Sequence, residues 1–186
     1  SYTYGVEAVL DDRGTHSSNT VYSNTLNGSF TGAALFGTGD NGSYQLGNNT
    51  TTSRQVFEQL SGSWKDVASG IFFTIAIKED GTLWSWGSST YGALGRGSSV
   101  TSSPTPQRIG TASNWVSISV GEYHVLAVDN SGQLYALGLN DDVQLGTRNR
   151  SIYYTPTAVT GVSNVKQIVA SPTNSYVLKK DGTLWG

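Results

Sequence analysis

The chain holds few side chains able to make or break bonds, and their spacing narrows what they could do. His16 and His124 are the only imidazoles and there is no cysteine, which removes thiolate nucleophiles, disulfides and multi-histidine metal centres. His124 closes the run Gly121-Glu122-Tyr123-His124; a general base with Glu122 beside it needs both side chains on one face of a regular strand. Asp11-Asp12, Glu79-Asp80 and Asp141-Asp142 are paired carboxylates. Neighbours along a strand point to opposite faces, so adjacency supplies neither a glycosidase pair nor a metal clamp, and solvated turns account for them. Gly37, Gly39 and Gly42 fit a Gly-x-Gly-x-x-Gly spacing, but no helical period follows to offer an N-terminus to a phosphate. The expectation is no enzyme, no cofactor and no metal.

Contact chemistry is better provided for. Tyr44, Tyr91, Tyr153 and Tyr154 read as loop aromatics, and tyrosine offers apolar area and a hydroxyl at little entropic cost. These four are the candidate contact-loop residues. A net charge of −2 with 13% charged residues gives no basic excess for a phosphate backbone, so protein subunits, or a further copy of this chain, are expected as partners rather than nucleic acid. The longest apolar stretch, Ile71-Phe72-Phe73-Thr74-Ile75-Ala76-Ile77, is far below the roughly 20 residues of a membrane-spanning helix, and no membrane insertion is expected.

The elements that must carry these residues follow from internal repetition. Leu35-Phe36-Gly37-Thr38-Gly39, Leu83-Trp84-Ser85-Trp86-Gly87, Leu134-Tyr135-Ala136-Leu137-Gly138 and Leu184-Trp185-Gly186 begin 48, 51 and 50 residues apart. Gln45-Leu46-Gly47, Ala93-Leu94-Gly95 and Gln144-Leu145-Gly146 keep the same step, as do the turns ending at Gly81, Gly132 and Gly182. Within each unit, short apolar runs and period-2 alternation mark strands. Val116-Ser117-Ile118-Ser119-Val120 predicts Val116, Ile118 and Val120 on one face. A second strand at Val125-Leu126-Ala127-Val128 and a third at Leu134-Tyr135-Ala136-Leu137 are joined by an Asn-Ser-Gly turn, which reads as a hairpin. A fourth strand is expected around Pro106–Ile109 and Pro156–Val159, at an edge because proline cannot donate to a central ladder. Each unit is thus a sheet of about four antiparallel strands with no helix to cover it. Radial stacking of such sheets, an all-β propeller, covers them. Trp84, Trp86, Trp185, Phe36 and Tyr135 then serve packing between blades rather than carbohydrate stacking.

Leu-Trp-x-Trp-Gly, then Gly-x-Asn-x-x-Gly-Gln-Leu-Gly, then Gly-x-x-His ahead of an apolar strand and Asp-Gly, resembles the repeat of the regulator of chromosome condensation. The resemblance is carried by Gly39–Gly47, Gly87–Gly95, Gly138–Gly146 and Gly121–His124 and covers about residues 32–186. It implies four-stranded blades, a histidine at position 124 that braces its blade by hydrogen bonding, and a ring that in this family usually has seven blades. Residues 32–186 supply three repeats and the start of a fourth, so an incomplete ring is expected, either a piece of a longer chain or an arc completed by another subunit. Residues 1–31 do not continue the pattern and are expected to be an N-terminal arm or a degenerate closing segment, with Tyr2, Tyr4, Val6, Val9 and Leu10 able to dock elsewhere.

Bacterial and phage proteins carry similar repeats in surface and virion components. With the low-charge Ser/Thr/Asn/Gly surface, this gives the expectation of a non-enzymatic structural or binding module on a virion or extracellular surface, such as a tail, fibre or capsid-decorating protein. The alternative, implied by the same resemblance, is a secreted or cytosolic propeller acting as an enzyme inhibitor or as an exchange factor for a small GTPase.

Overall fold

The fold was analysed on a computed structural model, which describes residues 21–24, 33–89 and 91–186. These residues form thirteen strands and no helix: β1 (Val21–Asn24), β2 (Ala33–Gly39), β3 (Arg54–Ser69), β4 (Phe73–Lys78), β5 (Leu83–Ser88), β6 (Ser102–Arg108), β7 (Trp115–Val120), β8 (His124–Asp129), β9 (Leu134–Gly138), β10 (Tyr153–Ala158), β11 (Val165–Ala170), β12 (Ser175–Lys179) and β13 (Leu184–Trp185). All pairing between consecutive strands is antiparallel. Two sheets are separate, β7 to β10 and β11 to β13, while the first runs from β1 to β6 because β3 belongs to two blades. Residues 54–60 of β3 pair with β2, residues 64–69 pair with β4, and Trp64 pairs with both. Blade I is β1, β2 and the first half of β3; blade II is the second half of β3 with β4, β5 and β6; blade III is β7 to β10; blade IV is β11 to β13. The merger follows from a shorter link: Leu60 precedes Trp64 by four residues, whereas Ile109 precedes Trp115 and Val159 precedes Val165 by six. Of the segment 1–31, residues 21–24 pair with β2. The rest of that expected arm, with Tyr2 to Leu10, lies outside the described residues.

Three apolar clusters fill the spaces between blades. Leu35 of blade I packs with Trp64, Ala76 and Trp86 of blade II. Phe73, Ile75, Ile77, Leu83 and Leu94 of blade II pack with Trp115, Ile118, Val125 and Leu137 of blade III. Leu126, Leu145 and Val159 of blade III pack with Val165, Ile168 and Val177 of blade IV. Neither face of a blade is left to water where a neighbour stands, which is how sheets without helices are stabilised. Polar ties recur at the same places: Trp115 N–H donates to Gly81 O and Val165 N–H to Gly132 O, both at 3.1 Å. Ala170 N–H donates to Ser119 Oγ at 2.8 Å.

Two strand expectations need correction. Val116 does not share a face with Ile118: the register shifts between Trp115 and Ser117, and Val116 is 37% exposed while Trp115 and Ile118 are buried. The same one-residue bulge follows Trp64 and Val165, and an extra residue resets the alternation. The outer strands β6 and β10 begin earlier than expected and end before Ile109 and Val159, which are buried in the following link. Pro104, Pro106 and Pro156 are tolerated within them because they are edge strands.

Antiparallel alternation sends the turns 79–82 and 130–133 to one end of the blades. The short turns 70–72, 121–123 and 171–174 and the long loops 40–53, 89–101 and 139–152 go to the other. All four candidate tyrosines belong to this loop end.

Candidate functional site

Each long loop is folded around a buried polar residue two positions past a glycine at the end of β2, β5 or β9, namely Gly39, Gly87 or Gly138. Asn140 is fully buried; its Nδ2 donates to Thr147 Oγ1 at 3.0 Å and to Asn149 O at 2.6 Å, and its Oδ1 accepts from Leu145 N–H at 3.0 Å. Asn41 repeats this with Asn48 Oδ1 at 2.9 Å, Thr50 O at 2.7 Å and Leu46 N–H at 3.0 Å. In the middle loop Ser89 stands there and accepts from Ala93 N–H at 3.1 Å. Farther along, Tyr44, Gly92 and Val143 occupy one equivalent position, each at positive φ (64°, 77° and 63°). Glycine suits that conformation, and a Cβ on Gly92 would lie 2.8 Å from the Tyr154 ring.

The four candidate tyrosines do not form one cluster. Tyr44 is half-buried on the blade I loop. Tyr153 and Tyr154 open strand β10 rather than standing in a loop, because Tyr153 already pairs with Gly138. Tyr153 packs on the cluster between blades III and IV, and its hydroxyl accepts from Asn149 Nδ2 at 2.9 Å. Tyr91 and Tyr154 both reach the junction of blades II and III. Tyr91 is 39% exposed and meets Tyr123 edge to face, with ring centroids 5.1 Å apart and planes at 68°. Burial pushes the Tyr123 hydroxyl above its ordinary range, assisted by the charge of Glu122, a hydrogen bond to it, and Tyr91.

This grouping breaks the chain's own repeat. Tyr91 corresponds to Ser43 and Asp142, Tyr123 to Phe72 and Thr173, and Glu122 to Ile71 and Pro172. The blade turns form equally well with those residues, so the fold requires neither the aromatic pair nor the carboxylate. Tyr123 was missed as a contact residue because it precedes His124, which drew attention as a candidate base. Comparing equivalent positions across the repeats was the signal that marks it.

The remaining candidates have structural roles. His124 is wholly buried, its Nε2 lies 3.0 Å from Ser175 Oγ in blade IV, and burial lowers its pKa to about 4. It is a neutral brace between blades, shielded from any substrate. Asp80 Oδ1 accepts from Thr82 N–H at 3.0 Å and Thr82 Oγ1–H at 2.6 Å, and Thr82 Oγ1 accepts from Trp84 Nε1 at 2.7 Å. Those bonds from Thr82 hold the carboxyl below its usual range. Asp181, Thr183 and Trp185 repeat the relay. Asp142 lies in the long loop, where its N–H donates to Gln144 Oε1 at 3.0 Å. Asp11 and Asp12 lie outside the described residues. Among the described residues no three His, Cys, Asp or Glu side chains gather as a metal site, and no helix is long and apolar enough to cross a membrane. Trp86 is buried between blades I and II, with Trp64 at 5.5 Å between centroids, and Trp115 meets Tyr135 at 4.9 Å. A cavity of about 480 Å³ lies between blades III and IV, beside Gly146, Leu145, Val159, Tyr176 and Trp185. At the two preceding junctions the equivalent space holds Trp86 against Gly47 and Leu137 against Gly95, so this is a packing position of the propeller.

Comparison with known proteins agrees with this architecture. The sequence profile described as Regulator of chromosome condensation (RCC1) repeat matches residues 80–128 and 131–178, just over half of the chain, and a second profile of the same description matches 64–93 and 115–144. The chain is 28% identical over 130 residues to the Regulator of chromosome condensation of Xenopus laevis, covering 66% of this chain and 30% of that protein. It is 34% identical over 136 residues to the Ultraviolet-B receptor UVR8 of Arabidopsis thaliana, covering 71% and 30%. To human E3 ubiquitin-protein ligase HERC2 it is 35% identical over 114 residues, 60% of this chain but 2% of that one. It therefore spans less than a third of each relative. Human WBSCR16 superposes with a TM-score of 0.71 at 25% identity, over 79% of this chain and 40% of that one. Yeast RCC1 (Prp20) bound to Kap60 superposes with a TM-score of 0.71 at 23% identity, over 81% and 38%. Saccharomyces cerevisiae Prp20p, described with its binding properties to Gsp1p and histones, gives 0.69 at 24% over 82% and 40%; these two likenesses show the fold alone. The proteins named are from animals, a plant and yeast, which lend no support to a bacterial or phage kinship. Profile, strand pattern and superposition agree: the chain is an incomplete β-propeller and belongs to the RCC1 repeat family.

Proposed function

We propose that this propeller arc is a non-catalytic module that binds a folded protein through its loop end, at the junction of blades II and III. One observation carries the reading: Tyr91, Glu122 and Tyr123 depart together from residues that serve the same backbone positions at the neighbouring junctions. Exposed tyrosines on a rigid scaffold are the usual anchors of protein contacts. The relatives support a protein partner, since Kap60, Gsp1p and histones are the molecules named with the yeast proteins. They favour the exchange-factor alternative over a tail-fibre or capsid-decorating role. A virion or extracellular location rests on the low charge and on a likeness to bacterial and phage repeats to which the comparisons lend no support, and its test is copy number in purified particles. The expectation of no nucleic-acid partner likewise rests on net charge alone, and the comparisons lend it no support.

The test is calorimetric titration of the full-length protein with a purified small GTPase in its GDP form and with core histones. Tyr91→Ser and Tyr123→Thr install residues the chain itself uses at equivalent positions. The double variant should weaken the observed binding by about tenfold or more with little change in Tm. Equal binding by the double variant would show that this surface is not used. Accelerated GDP release separates the exchange-factor reading from simple binding.

A further inference from the structure

The chemistry of the junction specifies one feature of its partner. Tyr91 comes from the β5–β6 loop of blade II and Tyr123 from the β7–β8 turn of blade III, and the two rings stand edge to face at 68°. In that arrangement one ring's positive edge meets the other ring's negative face, which leaves further π surface at a half-exposed corner. Glu122 adds a formal negative charge beside it. Among the described residues Glu122 has no ion-pair partner. The only cation of the 89–101 loop, Arg96, is turned inward, its Nε donating to Ser85 Oγ at 3.1 Å. Two aromatic rings and a carboxylate that accepts the Tyr123 hydroxyl but faces no cation among the described residues form a receptor for a cation. A planar guanidinium fits it better than an ammonium, because it can lie on a ring face while its N–H fork reaches the carboxylate.

We infer that the Tyr91–Tyr123–Glu122 corner receives an arginine side chain of the partner protein. This rests on the reading of that junction as the contact surface and adds the identity of the group that enters it. The two flanking junctions, with Ser43 and Phe72 or Asp142 and Thr173, lack the combination and serve as internal controls.

The experiment titrates the full-length protein with acetyl-Gly-Arg-Gly-amide and with its citrulline counterpart, which keeps the shape and removes the charge. Tyr91 and Tyr123 ring resonances are followed by NMR. The arginine peptide should shift both rings with saturable, millimolar binding, and the citrulline peptide should not. Glu122→Gln should weaken the arginine response about fivefold, and Tyr91→Ser with Tyr123→Thr should abolish it. Equal responses to both peptides, indifference to Glu122→Gln, or equal shifts around Asp142 and Thr173 would overturn the inference. If protein binding is lost in the tyrosine double variant while the arginine peptide gives no charge-dependent shift, the contact surface stands and the arginine assignment falls. If the double variant changes neither, both fall.

Discussion

His124 shows how a residue with catalytic credentials can be used for packing. A Cβ added at Gly121 would lie 2.3 Å from the ring, so the imidazole fills the space that glycine leaves, and Nδ1 is buried without a hydrogen-bond partner. Burial, which disfavours the charged form, lowers the pKa from 6.5 to about 4. Between these values the unfolded chain binds a proton that the folded chain refuses. Stability is therefore complete above about pH 6.5, declines as pH falls, and levels off below about pH 4, a loss on the order of 3 kcal/mol. Blade II carries Phe73 at the same place, behind Gly70. His124→Phe should fold and lose this component, leaving a flatter profile of denaturation midpoint against pH. An unchanged slope between pH 6.5 and 4 would assign the acid sensitivity to another group. The type of residue was legible in the sequence and its role came from the family resemblance. The burial that settles its charge state was not legible, because it depends on Ser175 and blade IV some fifty residues away.

At the scale of the element, the long loops decide where the contact residues stand. The family pattern Gly-x-Asn-x-x-Gly-Gln-Leu-Gly is divided among the loops, Asn41 and Asn140 keeping its asparagine and Gly92 its second glycine, and the structure supplies the reason for these positions. The asparagine side chain stands in for backbone partners at the turn, and the second glycine marks the left-handed position. That Val143 and Tyr44 adopt φ near +63° and +64° was not legible, since a strained residue leaves no trace in composition. The bulge after Trp64, Trp115 and Val165 was equally hidden, because Val116-Ser117-Ile118-Ser119-Val120 reads as unbroken alternation. Replacing Asn140 by Ala would orphan the buried Leu145 N–H and remove the donor to Thr147 Oγ1 and Asn149 O, and the expected cost is about 1–3 kcal/mol in chemical denaturation. Asn140→Ser should recover little of it, since at the same position in the middle loop Ser89 Oγ reaches Ala93 N–H, the counterpart of Gln144 and not of Leu145. A loss below about 0.5 kcal/mol for Asn140→Ala would mean the loop is held by other contacts.

Over the whole molecule, the stack of blades was the most legible feature, because three landmarks recurring in one order every 48–51 residues leave few architectures that bury every sheet. The contact corner was only half legible: Tyr91 stood out as a loop aromatic, but its pairing with Tyr123 joins two repeats, and the sequence step between them gives no distance. The stack and the corner make separable demands, which Trp86 can test. Its indole fills the space over Gly47, where a Cβ would come within 2.8 Å, and its Nε1 donates to Gln45 O at 2.8 Å. At the next junction Leu137 fills the corresponding space over Gly95. Trp86→Leu keeps an apolar filler but removes volume and one hydrogen bond, while Gln45 O retains Thr74 Oγ1 as a donor at 2.8 Å. The expected loss is about 2–3 kcal/mol. Because the substitution lies between blades I and II, the edge-to-face pair between blades II and III should persist, and partner binding should be preserved at temperatures where the variant is folded. Binding lost in parallel with stability would mean that recognition needs the whole arc to be rigid, and that the corner at Tyr91 and Tyr123 is one contact among several spread over the loop end.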